Sequence, residues 1–217
     1  MTYRYRDGAR KIAPIGVAAV AFGASFGILA ETAGTGPTAA VVMSATTFAG
    51  SAQFAAVSVL DAAGATLAAI LAAVLLNARY APISITVASE FKGSPWRRLV
   101  ESQLIVDESW AISARGGGRF DRHLLLGAGL TLYPCWVGGT AVGAFGAEFL
   151  GDPETLGLDA AFPALFLALL VPQVVSRRAL VAALLGGTIA VVLIPFSSPG
   201  IPIIVASAAC LIGLERR

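Results

Sequence analysis

The chain has 217 residues, of which 57% are hydrophobic and only 13% are charged, and its formal net charge is +2. A soluble domain carries about a quarter charged residues, so this composition, with a mean hydropathy of +0.80, excludes a soluble globular protein. Apolar runs of about 20 residues recur along the chain, and each is long enough to cross a bilayer. The sequence therefore predicts one integral-membrane domain over residues 1–217. It would be an all-α polytopic protein with about six full transmembrane helices plus re-entrant or broken helices.

The basic residues at the two ends of the chain set its predicted orientation. Four cations precede the first apolar run, and Arg216 and Arg217 follow the last one. The four are Arg4, Arg6, Arg10 and Lys11. Because positive residues favour the cytoplasmic side, we expect both termini in the cytoplasm and a multi-pass protein of the cytoplasmic (inner) membrane. The first span is predicted at residues 12–31, running outward and uncleaved.

A polar stretch interrupts the next apolar run, residues 38–60. It reads Phe48-Ala49-Gly50-Ser51-Ala52-Gln53-Phe54. Irregular backbone at membrane depth is tolerated only inside protein or beside a water-filled cavity, so the stretch indicates either a break in the helix or a polar face packed on other helices. If residues 38–60 crossed fully, the next run would deliver Lys92, Arg97 and Arg98 to the outside, against the charge rule. We therefore predict a re-entrant pair of half-helices that turns near Gly50, with one complete span as the alternative.

The following run, residues 66–89, contains a second interruption, Asn77-Ala78-Arg79-Tyr80-Ala81-Pro82. A cation at the bilayer centre costs at least about 2.5 kcal/mol, and proline disturbs the helical hydrogen-bond ladder. Arg79 is therefore predicted to face a polar cavity, or else to snorkel from an early helix end.

Residues 99–115 combine acidic and amide side chains with Trp110 between two basic flanks. Flanks of the same sign predict a hairpin or tilted helix that does not cross the membrane. Asp107 and Glu108 would then lie deep inside the protein or at its inner vestibule. Four later spans complete the prediction, at residues 123–149, 160–175, 179–195 and 201–214.

Several chemical classes are excluded by the residues present. The two cysteines lie in apolar runs without metal-ligand spacing, and Gly23-Ala24-Ser25-Phe26-Gly27 matches a nucleophile motif only in mid-helix, without a base nearby. No phosphate-binding loop is present. We therefore predict no enzyme, no cofactor, no metal site and no nucleic-acid partner.

The remaining features, broken helices and charged residues within apolar runs, are typical of a transporter. Broken helices present free N–H groups and positive dipole ends that suit a carboxylate, and a buried carboxyl group can carry a coupling proton. For every residue the alternative is structural: Arg79 paired with Asp107 or Glu108 to neutralise it, and the aromatic rings as packing. The predicted proton-coupling residues are Asp107 and Glu108, and the predicted substrate-binding residues are Phe48, Gly50, Ser51, Gln53, Phe54, Asn77, Arg79 and Trp110.

The chain resembles the AzlC-type branched-chain amino acid permeases over nearly all of its length. The resemblance is carried by the polar stretch from Phe48 to Phe54 and by four further blocks. These are Leu76-Asn77-Ala78-Arg79-Tyr80, Val106-Asp107-Glu108-Ser109, Gly127-Ala128-Gly129-Leu130 and the run from Phe162 to Leu170.

This resemblance implies a subunit that exports valine, leucine and isoleucine, and sometimes methionine, driven by the proton motive force. It also implies a small AzlD-type membrane partner, with lipid around both. Two other functions stay open at this point: a non-transporting membrane scaffold and a passive channel for small solutes.

Overall fold

The computed structural model describes residues 3–116, 118–150, 167, 170, 171, 174, 176–197 and 201–209, with the backbone alone at 148–150. Across these residues the regular structure is helical, and one isolated bridge pairs Ala114 with Phe120. The predicted all-α class is therefore confirmed for the described part. Two predicted spans lie partly outside the described residues: the one at 160–175, of which four residues are described, and the end of the one at 201–214.

Ten α-helices are described. They are α1 (Tyr5–Thr32), α2 (Pro37–Thr47), α3 (Gly50–Asp61), α4 (Thr66–Asn77), α5 (Tyr80–Val87), α6 (Pro95–Ser102), α7 (Asp107–Ser113), α8 (Arg122–Leu150), α9 (Arg177–Leu193) and α10 (Ile201–Ala206). Short 3₁₀ turns at Ala88–Glu90 and Ile194–Phe196 follow α5 and α9.

Among the described residues, 4 helical stretches are long and apolar enough to cross a membrane: Tyr5–Thr32, Thr66–Glu90, Arg122–Ala147 and Arg177–Phe196. Each coincides with a span predicted from the sequence. A polytopic membrane fold follows, while the total number of spans and the sidedness of the termini stay predictions.

The chain divides into two compact units, one made of residues 1–54 and 76–147 and the other of residues 55–75 and 148–217. In the second unit, α9 packs on the segment that follows Ile201, with Gly186 facing Ala206 and Ala209. The first unit holds every residue of the candidate site. The prediction of a single membrane domain concerns the whole chain and stays a prediction.

Helices α1 and α8 of the first unit pack backbone to backbone. A Cβ atom added at Gly8 would meet the carbonyl of Leu124, and one added at Gly27 would meet the backbone of Ala144. Only glycine allows such an approach, as is usual where membrane helices touch. Because the contacts advance along both helices together, α1 and α8 run parallel.

The predicted interruption of residues 38–60 is present, so the break is confirmed. Helix α2 ends at Thr47 and α3 begins at Gly50, with Phe48 in the left-handed region at φ 44 and ψ 47. Gln53 Nε2 donates a 2.8 Å hydrogen bond to Ser44 Oγ across this break. In a continuous helix these two residues would lie about 13 Å apart along the axis, so the helix is interrupted here and the adjoining ends of α2 and α3 are in contact.

The second predicted interruption is milder. Helix α4 ends at Asn77, and α5 starts at Tyr80 after a two-residue turn. Pro82 lies in the first turn of α5, where a missing N–H leaves no hydrogen bond unmade. The whole stretch from Thr66 to Glu90 therefore still qualifies as one candidate span.

The segment that contains α6 and α7 leaves from and returns to the beginning of α8. Glu101, in α6, accepts a hydrogen bond from Arg122 Nη2, and the carbonyl of Ser113, at the end of α7, accepts one from the amide of Asp121 at 2.9 Å. Between these points Leu104 lies against Gly129. This course is that of the hairpin predicted from the sequence.

Candidate functional site

Arg79 lies at the centre of the candidate site. Its Nη2 donates a 2.8 Å hydrogen bond to Ser51 Oγ and lies 3.0 Å from Asp107 Oδ2. Three residues singled out in separate segments of the sequence thus meet at one point. The two charged side chains are 41% and 37% exposed, so solvent or a ligand can reach the pair.

The beginning of α3 adds a positive end to this cluster. The amide of Ala49 donates to Gln53 Oε1 at 3.1 Å, while the first amides of the helix, at Gly50 and Ser51, have no partner within it. The helix dipole makes this end favourable for an anion. The cation of Arg79 lies beside it because Ser51, in the first turn of α3, binds that guanidinium.

The acidic side of the site is the beginning of α7. Asp107 and Glu108 occupy the first turn of this helix, where the dipole stabilises carboxylates. Asp107 pairs with Arg79, whereas Glu108 is exposed. One cation and a carboxylate in direct contact form a site that matches both ends of a zwitterion.

Gln53 lies apart from Arg79, in a buried hydrogen-bond network. It is fully buried, and its Oε1 accepts from the amide of Ala49 and from Trp136 Nε1, each at 3.1 Å. Its Nε2 donates to Ser44 Oγ, which lies 2.9 Å from Thr140 Oγ1. The side-chain amide thereby holds the two halves of the break together against α8.

The aromatic residues beside the break are packed in the interior. The ring of Phe48 meets Tyr133 edge-on at 5.1 Å, and that of Phe54 meets Phe26 edge-on at 5.5 Å. Gly50 faces the indole of Trp136, whose Cη2 would lie 2.9 Å from a Cβ atom added there. A side chain at position 50 would therefore displace the ring that binds Gln53.

The last two predicted site residues, Trp110 and Asn77, lie close in sequence to Asp107 and Arg79. Trp110 donates to Thr86 Oγ1 at 2.9 Å and lies 5.7 Å from the ring of Phe120, so it belongs to the apolar cluster near the start of α8. Asn77 Oδ1 is buried and accepts no hydrogen bond from the described residues. Such an orphaned acceptor requires an explanation, and a ligand donor near Arg79 is one.

Several structurally important residues were not among the predicted ones. Tyr133 donates to the carbonyl of Ala45 at 2.7 Å, and Gln103 donates to the carbonyl of Thr46 at 2.8 Å. Both carbonyls lose their helical donors at the break. A signal existed in α8, because Tyr133, Trp136 and Thr140 follow one helical face of an otherwise apolar span.

A model of the AzlC protein family matches residues 14–150. The chain belongs to the AzlC family. The matched range includes the break, Arg79 and Asp107, so it covers the whole candidate site of this AzlC-family protein. Family membership and the apolar helices together establish a multi-pass membrane protein.

Three relatives illustrate the extent of the similarity. An uncharacterized membrane protein of Archaeoglobus fulgidus is 31% identical over 94% of this chain and 91% of its own length. Inner membrane protein YgaZ of Escherichia coli is 26% identical over 90% and 83%. The branched-chain amino acid transport protein AzlC of Bacillus subtilis is 26% identical over 80% and 69%. No solved structure matches the chain significantly.

Proposed function

We propose that this AzlC-family chain is the large subunit of a secondary transporter that exports valine, leucine and isoleucine, with methionine as a further substrate. The family and the name of the Bacillus subtilis relative support membrane transport of amino acids, and membership in such a family makes an enzyme a poor alternative. The observation that carries the proposal is the contact of Arg79 with Ser51 and Asp107 beside a helix break.

Recognition of the amino acid backbone follows from an exchange of ion pairs. The substrate carboxylate takes the place of Asp107 on Arg79 and meets the free amides at Gly50 and Ser51, while the ammonium group takes the place of Arg79 on Asp107. A charge left unpaired in a low-dielectric site is costly. A zwitterion satisfies both partners, whereas a keto acid or an amine satisfies only one.

The same exchange offers a route for proton coupling. When the substrate leaves before Arg79 and Asp107 pair again, Asp107 has lost the ammonium group and has not regained its guanidinium. Proton uptake at Asp107, or at the neighbouring Glu108, removes the cost of that unpaired charge. Alternating access would then move one proton with each cycle.

The alkyl side chain of the substrate is assigned to the aromatic side of the site. Phe48, Phe54 and Trp110 supply apolar surface near the break, and Gln53 and Asn77 supply amide groups. Because Phe54 and Gln53 are buried in this structure, their contact with substrate would require the break to open.

A small AzlD-type membrane subunit and surrounding lipid complete the proposal. Helix α9 exposes large apolar side chains, with Leu184 at 63% and Val191 at 67%. Such a surface is stable in contact with lipid or with another membrane helix.

The first experiment measures efflux of labelled valine from proteoliposomes. Arg79→Ala should reduce efflux to the background of empty liposomes, and Arg79→Lys should retain part of it because the charge remains without the planar fork. Arg98→Ala, which removes an exposed cation of α6, is the matched control. Normal efflux by a folded Arg79→Ala variant would refute the site.

A second measurement separates the coupling role from binding. Asp107→Asn should flatten the pH dependence of efflux, and an unaltered profile would assign coupling elsewhere. If the purified chain binds no substrate, it is a scaffold for its partner; if a proton gradient drives no accumulation, it is a passive channel.

A further inference from the structure

We propose that Gln103 is a positioning residue for transport, because it joins two hairpins that enter the membrane from opposite sides. One is the α2–α3 hairpin, residues 37–54, and the other is the α6–α7 hairpin, residues 91–121. The role in transport rests on the function proposed above, whereas the arrangement of the hairpins does not.

The parallel course of α1 and α8 determines the sidedness of the hairpins. Two parallel spans require an odd number of crossings between the end of one and the start of the other. Residues 66–90 provide one crossing. Helices α6 and α7 have 8 and 7 residues, only about 12 and 10 Å of helix, and their segment returns to the start of α8.

Only the α2–α3 segment remains, and it must therefore return to the side on which α1 ends. The hydrogen bond between Gln53 and Ser44 across the break agrees with such a fold-back. The α2–α3 hairpin thus enters from the face where α1 ends, and the α6–α7 hairpin enters from the face where α8 begins.

The tips of the two hairpins meet at Gln103. Its Nε2 donates to the carbonyl of Thr46, which belongs to the last turn of α2 and has no helical donor at the break. Leu104, at the tip of the α6–α7 hairpin, lies against Gly129 of α8. Tyr133 of α8 donates to the carbonyl of Ala45, at the tip of the α2–α3 hairpin. Gly129 and Tyr133 lie about 10 and 16 Å along α8 from its first residue. The tips of the two hairpins therefore meet inside the membrane.

The proposed substrate site lies at the same junction between the two hairpins. Arg79 contacts Ser51 of one hairpin and Asp107 of the other. Substrate that arrives from the side of the α6–α7 hairpin takes the place of Asp107 on Arg79, and the hairpin that carries Asp107 moves away. The bond from Gln103 to Thr46 breaks in that movement, so Gln103 stabilises the state that is closed on this side.

The arrangement is tested by labelling single cysteines with a membrane-impermeant thiol reagent in oriented vesicles. In a background with Cys135→Ser and Cys210→Ser, cysteines are introduced as Ala62→Cys, Ser94→Cys and Arg119→Cys. We expect positions 94 and 119 to react from one side and position 62 from the other. Reaction of positions 62 and 119 from the same side would overturn the opposed hairpins, whether or not the chain transports anything.

The role of Gln103 is tested by Gln103→Glu, which keeps the shape and removes the donor, and by Gln103→Lys, which keeps a donor. The reporter is Thr47→Cys, labelled from the side of position 119. Loss of one hydrogen bond should raise the labelling rate about fivefold in Gln103→Glu, and Gln103→Lys should restore it. Ser102→Ala, whose hydroxyl binds within its own helix, is the control.

Efflux kinetics provide the second readout. Gln103→Glu should change the maximal rate by about the same factor as the labelling rate and leave the KM for valine unchanged, because Gln103 does not touch Arg79, Ser51 or Asp107. Unchanged labelling and unchanged kinetics in Gln103→Glu would overturn the role. If labelling changes in a chain that moves no valine, the contact between the hairpins is supported and only the transport function is refuted.

Discussion

The two hairpins of the first unit are stabilised by different chemistry. The α2–α3 hairpin is held by neutral groups that are almost fully buried, with Gln53, Ser44 and Thr140 all at 0% exposure. The α6–α7 hairpin is held at its base by charges, since Glu101 accepts hydrogen bonds from Arg97 at 2.8 Å and from Arg122. Arg97 is 57% exposed, whereas Arg122 and Glu101 are only 18% and 13% exposed.

This difference follows the local dielectric. In a low-dielectric interior a neutral hydrogen bond is strengthened and an unpaired polar group is costly, so a break at mid-depth requires a complete set of neutral partners. An exposed ion pair such as that of Arg97 with Glu101 contributes little, whereas the pair of Glu101 with Arg122 is largely shielded from water, at 13% and 18% exposure. We therefore expect the α2–α3 hairpin to be sensitive to single deletions and the α6–α7 hairpin to tolerate changes that keep a hydrogen-bond acceptor for Arg122.

The largest effect is expected for Gln53→Leu. It leaves the amide of Ala49 and the indole N–H of Trp136 without acceptors, and each unsatisfied buried group costs about 1–3 kcal/mol. We expect a loss of about 2–5 kcal/mol, measured by thermal unfolding in detergent, together with loss of efflux. Thr46→Ala, which removes an exposed hydroxyl bound within its own helix, should change neither.

A smaller effect is expected for Trp136→Phe. Gln53 Oε1 then keeps its hydrogen bond from Ala49, so the variant loses one donor and part of a ring, about 1–2 kcal/mol. The same change at the exposed Trp96 serves as the control. A loss as large as that of Gln53→Leu would mean that the indole, and not the amide, holds the break.

Glu101→Gln tests the charged base of the other hairpin. Glu101 contacts both Arg97, which is largely exposed, and Arg122, which is not. Because the amide oxygen of glutamine still accepts a hydrogen bond from Arg122, the expected loss is about 1 kcal/mol, and salt reduces the part that comes from Arg97. Asp61→Asn is a control at an exposed carboxylate. If Glu101→Gln unfolds the chain as readily as Gln53→Leu does, the contrast between the two hairpins is wrong.

The smallest effect is a pH dependence that distinguishes the two hairpins. Burial alone would raise the pKa of Glu101, but hydrogen bonds from Arg97 and Arg122 outweigh it and hold this pKa below its usual value. The stabilisation is therefore complete above the unfolded-state pKa of about 4.3 and is lost as the pH falls through the folded-state pKa.

The stability difference between the native chain and Glu101→Gln should accordingly shrink below about pH 4, whereas the difference for Gln53→Leu should persist, because its network holds no ionisable group. The measurement is the unfolding temperature of the three chains across the pH range. A constant difference for Glu101→Gln would contradict the pKa assignment.

The sequence by itself determined the membrane class, the described spans and the positions of both interruptions. Those features are local and can be recognised without knowing any tertiary contact. They are an apolar run of sufficient length, a Gly-Ser-Gln group inside the run at 38–60, and Asn77, Arg79 and Pro82 inside the run at 66–89. The hairpin character of residues 99–115 also followed, because the charges on its flanks have the same sign.

Only the tertiary structure decided which groups meet. The sequence left Asp107 and Glu108 equivalent as partners of Arg79, and it treated Gln53 like its neighbour Ser51. In the structure Asp107 takes the guanidinium while Glu108 is exposed, and Gln53 faces α8 while Ser51 faces Arg79. Partners of this kind depend on how the helices pack, and glycine contacts between distant segments such as α1 and α8 set that packing.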